Sequence, residues 1–119
     1  MSLNLTLVLK IAMLIASTHS YCYPGQLCFR YNCADFAKDL VLALRAEGIN
    51  AYPVCGWLNH RYHAWVVVEE NKTDWFWARE NPNLIHIEPQ TGEIIYPEED
   101  MPWLSYYARG RKCVVRGIY

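Results

Sequence analysis

A chain of 119 residues, 53% of them hydrophobic, has material for one core, and a single domain over residues 1–119 is expected. Its formal net charge of −1 excludes a nucleic-acid binder that works by overall basicity. No stretch is polar enough for long enough to stay unfolded by composition alone.

The first segment, MSLNLTLVLKIAMLIASTHS, admits two readings. As a secretory signal it would end at a cleavage region around THS, but Lys10 interrupts the apolar run and no charged side chain precedes it. As an amphipathic helix it places Thr6, Lys10 and Ser17 on one stripe and Leu7, Val8, Ile11, Leu14 and Ile15 on the other side. We take the second reading, which goes with a cytoplasmic protein. A secreted protein with residues 1–20 removed is the alternative. The run is too short and too interrupted for a transmembrane span.

A loop follows, YCYPGQLCFRY, punctuated by Pro24 and Gly25. Asn32 is then a good N-cap for a second helix, with Asp35 near the exposed amides of its first turn. Phe36, Ala37, Leu40, Val41 and Leu44 fall at helical spacing, Arg45 lies in the last turn, and Gly48 supplies a left-handed stop.

From there the period is two. NAYPVCGW reads as a strand, and its Pro53 calls for a sheet edge or an irregularity. YHAWVVVEE is a second strand, rich in Val and Trp. ENKTD is a turn, WFWA a candidate returning strand and RENPN a loop. LIHIEP is a strand with Leu84, His86 and Glu88 on one face and Ile85 and Ile87 on the other. QTGE turns the chain into IIYP, and KCVVRGIY can add a last strand. Helices first and strands later, with short connections, predict an α+β domain: N-terminal helices packed on a mostly antiparallel sheet.

Charge is segregated along the chain. Residues 69–100 carry nine carboxylates against Lys72 and Arg79, and Arg109, Arg111, Lys112 and Arg116 follow with no acid among them. We read this as a basic tail lying beside the acidic segment, or as two solvated faces.

Three residues carry candidate chemistry. Cys33 occupies the first helical position, where free amides and the helix dipole stabilise a thiolate. A buried structural cysteine would fit the same place. A nucleophile needs a base, and His63 opens the second strand, where a side chain reaches the edge of the sheet. His60 is the rival base; His19 and His86 fit surface or satisfied sheet positions. The base needs an acid to orient it, and Glu88 ends a strand able to pair beside that of His63. Asp74 and Glu80 are alternatives, in a turn and a loop.

The blocks NCADFAKDLVLALRAEGINAYPVCGW, HAW and IEP, in that order, resemble the transglutaminase-like superfamily of papain-like thiol enzymes. The likeness covers about residues 31–96. It implies a papain-like, transglutaminase-like core with Cys33 as nucleophile, His63 as general base and Glu88 as orienting acid. The family usually has Asp at the last position, one methylene shorter, and often a Gly just before the Cys, where this chain has YN.

An acyl transfer also needs an oxyanion hole. An amide at the start of the Cys33 helix could give one donor, and Gln26 or Asn59 a second. Gln26 resembles the glutamine ahead of the nucleophile in papain-like enzymes, though it could equally be a solvated loop residue. Trp65 shares a face with His63 and could shield the imidazole, or with Trp57 wall a substrate groove.

The remaining cysteines, Cys22, Cys28, Cys55 and Cys113, could form two disulfides or none, because five is an odd count and Cys33 is set apart. They lack the paired CxxC spacing of a zinc site, so neither metal nor other cofactor is expected.

The expected function is therefore that of a thiol hydrolase, a cysteine peptidase or amidase acting on a peptide or protein. A transamidase, or a non-catalytic module that keeps the fold to bind a peptide or protein, is the alternative. A cell-wall peptidase using His86 as third residue is the weakest fit.

Overall fold

The computed structural model describes residues 3–18, 33–58, 61–69 and 84–96, with the side chains of 57, 58, 61 and 62 outside that description. The loop expected at 21–31, the WFWA strand and the basic tail lie outside the described residues.

Two helices and four strands make an α+β fold: α1 (Leu5–Ala16), α2 (Cys33–Ala46), β1 (Asn50–Leu58), β2 (Arg61–Glu69), β3 (Ile85–Glu88) and β4 (Glu93–Ile95). The strands form one antiparallel sheet in the order β1-β2-β3-β4. Pro53 thus sits on an outer strand of the described sheet, opposite Val66, where its missing N–H can be tolerated.

The stripe read on α2 is the buried stripe: Phe36, Ala37, Leu40, Val41 and Leu44 are its buried residues. The helix stops as its sequence requires. Gly48 adopts φ 76°, the N–H of Ile49 bonds the carbonyl of Leu44 at 3.1 Å, and that of Gly48 bonds the carbonyl of Arg45 at 3.0 Å. This is the paired closure of a Schellman motif, which satisfies carbonyls the helix leaves open. Arg45 then clamps the turn into β1. Its Nε donates to the carbonyl of Ala51 at 2.9 Å, and its guanidinium lies 5.3 Å from the centre of the Tyr52 ring.

α1 is capped by Asn4, whose side chain accepts from the N–H of Leu7 at 3.1 Å. It buries Val8 and Ala12 fully, with Leu3, Ile11 and Ile15 packed at the margin. Leu14, placed on the apolar side by periodicity, is instead 65% exposed. The helix is apolar nearly all round, so spacing alone cannot choose its face; small Ala12 takes the close approach instead.

The two faces of the sheet bury different clusters. Alternate residues Ala64, Val66 and Val68 of β2, with Ala51, Cys55 and Ile87, pack against α1 and α2. On the other face Val54, Trp65, Val67 and Leu84 form a second cluster with Tyr52 and Ile95 at its edge. The β3–β4 turn is braced from the helix side. Gly92 adopts φ 77°, and a Cβ there would stand 2.9 Å from the backbone nitrogen and sulfur of Met13. Only glycine fits both the turn and this approach. Among the described residues no helix is long and apolar enough to cross a membrane.

Candidate active site

β2 and β3 pair in the register Val66–Ile87, Val67–His86, Val68–Ile85. One step further along this ladder Glu88 comes opposite Trp65 and diagonal to His63, within reach of a long side chain. The geometry bears this out: His63 Nε2 and Glu88 Oε2 are 2.6 Å apart, in a setting where both side chains are largely buried. Glutamate, one methylene longer than aspartate, therefore reaches the imidazole. Its other oxygen, Oε1, accepts from the backbone N–H of Gln90 at 3.2 Å, so the turn after β3 holds the carboxylate in place. Gly56 is the ladder partner of His63 on β1, so no β1 side chain crowds the ring from that side.

Cys33, the first residue of α2, is half-buried and carries a free thiol. It is hydrogen-bonded to His63 and to the backbone N–H of Ala64. Since Glu88 engages Nε2, Nδ1 is the nitrogen left to face the sulfur.

The two titrations move in opposite senses. Burial pushes the Cys33 thiol up, but the hydrogen bonds from His63 and Ala64 and the imidazolium charge outweigh it, and the net shift is downward. Burial likewise opposes protonation of His63, yet its hydrogen bonds to Cys33 and Glu88, and their charges, raise it to about 9. A lowered thiol beside a raised imidazole favours the thiolate–imidazolium form of the pair. In that form the nucleophile is ionised and a proton is ready for a leaving group.

The structure places the other candidates less centrally. Trp65 is fully buried, and its indole ring lies 6.0 Å from the His63 ring, centre to centre, with 25° between planes. With no exposed surface it cannot wall a substrate groove, as one of its two expected roles required; it backs the imidazole instead. Trp57 lies on β1 opposite Tyr62, but its side chain is outside the description, as are Gln26, Asn59, His60, Asp74 and Glu80. His86 is buried and accepts from the indole N–H of Trp65, Nε1 to Nδ1, at 2.9 Å. It does not take the place of Glu88 beside His63. Burial alone lowers it to about 4, so it is neutral at ordinary pH.

Two features went unread in the sequence. The N–H of Gln90 that fixes Glu88 is a backbone group with no side-chain signature. The Trp65–His86 bond required the β2–β3 register, which residue spacing does not provide.

Cys55, buried in the helix-side cluster, is disulfide-bonded, and its partner lies outside the described residues. Among the described residues no group of three or more His, Cys, Asp or Glu is disposed to hold a metal ion.

No protein-family model matches the chain, and no curated protein or solved structure does either.

Proposed function

We propose that this protein is a thiol hydrolase, a cysteine peptidase or amidase with the papain-like core of the transglutaminase-like superfamily. The observation that carries the reading is His63 held between two partners, the Cys33 thiol on one side and Glu88 Oε2 at 2.6 Å on the other. Each partner comes from a different element, the start of α2 and the end of β3.

In the reaction the Cys33 thiolate attacks an amide carbonyl and a sulfur–carbon bond forms. The free amides at the start of α2 are the nearest source of oxyanion stabilisation. As the carbon–nitrogen bond breaks, His63 gives its proton to the leaving amine. Water then attacks the thioester, its proton passing to His63, and the thiolate departs. Glu88 keeps Nε2 engaged so that Nδ1 always faces the sulfur. A transamidase would differ only in the acceptor, an amine in place of water. A purely binding role gains no support from a thiol paired to its base in this way.

Cys55 in a disulfide supports an oxidising compartment over the cytoplasmic expectation. The core positions of Val8 and Ala12 support retention of α1 in the folded chain.

The test is alkylation by iodoacetamide at about pH 6, below the range where an ordinary thiol reacts. Peptide mass spectrometry should find the label on Cys33, and Cys33→Ala should remove it. Label confined to other cysteines would refute the reading.

A further inference from the structure

Glu88 and Cys33 engage the edge of the His63 ring, but bonds in the ring plane still let it rock about the line that joins them. Its third support is a face. The indole of Trp65 lies nearly parallel to the ring at 6.0 Å, within the range where an aromatic face stabilises a cation. That face is useful only if the indole cannot turn. Trp65 has no exposed surface, and its one polar atom donates to His86 Nδ1 at 2.9 Å. His86 comes from β3, two residues before Glu88, and its ladder partner on β2 is Val67, two residues after Trp65. The same strand thus supplies the acid at the edge of His63 and the anchor for the surface beneath it.

We propose that His86, acting through Trp65, is a positioning residue for the nucleophile's base. It holds the indole in the plane against which the His63 imidazolium rests. The inference rests on the hydrolase reading, since it assigns His86 a role in keeping Cys33 ionised. To accept from the indole, His86 must be neutral with its proton on Nε2. A side chain unable to accept would strand a buried N–H and leave the indole free to tilt.

The test follows Cys33 alkylation by iodoacetamide against pH in the full chain, with melting temperature read alongside. The wild type should label on the acid side of the ordinary thiol range. If it does not, the hydrolase reading fails, and this inference with it. Given a reactive wild type, His86→Leu should slow acid-side labelling about three- to tenfold, the worth of one hydrogen bond, and shift the profile towards an ordinary thiol. His86→Asn keeps an acceptor close to the position of Nδ1 and should restore most of the rate. Trp65→Phe retains a ring but no N–H; it should slow labelling similarly, and adding His86→Leu to it should cost little more. A reactive wild type whose profile is unmoved by His86→Leu and Trp65→Phe would overturn the proposal. So would two losses that simply multiply, or His86→Asn as slow as His86→Leu. Should His86→Leu fail to fold, Trp65→Phe and His86→Asn decide it: slowing by the first with rescue by the second supports the proposal, and any other result overturns it.

Discussion

The two sides of β2 differ in chemistry although they alternate along nine residues. Ala64, Val66 and Val68 face α1 and α2 and are apolar without exception. His63 and Trp65, on the odd positions, join His86 and Glu88 in a chain of polar and aromatic contacts that ends at Cys33. One strand therefore carries a wholly apolar face and a face that joins these polar contacts to the second cluster of Val54, Trp65, Val67 and Leu84, and the two can be broken one side at a time.

The largest effect should come from the polar side. His63→Ala removes the base, and acid-side labelling of Cys33 should fall by about a hundredfold or more. Circular dichroism should show the fold retained, because the helix-side cluster is untouched. Leu40→Ala should do the reverse. It empties part of the core at a fully buried site and should cost about 3 kcal/mol in denaturant unfolding. The pH profile of Cys33 labelling should stay where it was in the molecules that remain folded.

The two histidines sharpen the comparison because burial acts on both and only one escapes it. His86 is lowered from 6.5 to about 4, so below pH 6.5 the unfolded chain takes up a proton that the folded one refuses. Stability should fall with acid by about 1.4 kcal/mol per pH unit from this group, until pH reaches about 4. His86→Asn should remove one proton's worth of that slope, read by denaturant unfolding between those limits. His63 is raised to about 9, and by itself would stabilise most below pH 6.5 and lose that stabilisation as pH rises through 9. In the thiolate–imidazolium form, however, its proton comes from Cys33 rather than from solvent. Wherever Cys33 is ionised and the pH lies between 6.5 and about 9, the folded and unfolded pairs hold the same number of protons, and little net pH dependence should appear.

Smaller effects test the supports. Glu88→Gln keeps the size of the side chain but removes its charge, and acid-side labelling should slow about tenfold as the imidazolium loses its partner. Gly48→Ala places a side chain at φ 76° with open space around it, and should cost about 1 kcal/mol by thermal unfolding without touching the thiol.

What the sequence disclosed follows the same division. The α2 stripe, the Gly48 stop, the faces of β3 and the order of Cys33, His63 and Glu88 were all legible, because each depends on spacing within one element or on a residue at an element's end. The α1 helix is legible but its buried face only in part, since Leu14 and Ala12 compete on a surface that is apolar nearly all round. The Asn4 cap is hard to read in a segment whose composition fits a signal as well as a helix. Trp65 was placed correctly beside His63, but whether it is buried or walls a groove depends on how strands stack, which period two does not encode. The partner of His86 needed the register of two strands joined by a segment whose length leaves their pairing open.

The proposed chemistry turns on Cys33 and His63 existing together as thiolate and imidazolium. Ultraviolet absorbance of the thiolate, titrated in the wild type and in Cys33→Ala, measures this directly. A thiolate–imidazolium pair should give a difference signal that is present at neutral pH and persists well below the ordinary thiol range. A difference that first appears only near pH 9.0, the value of an unperturbed thiol here, would contradict it.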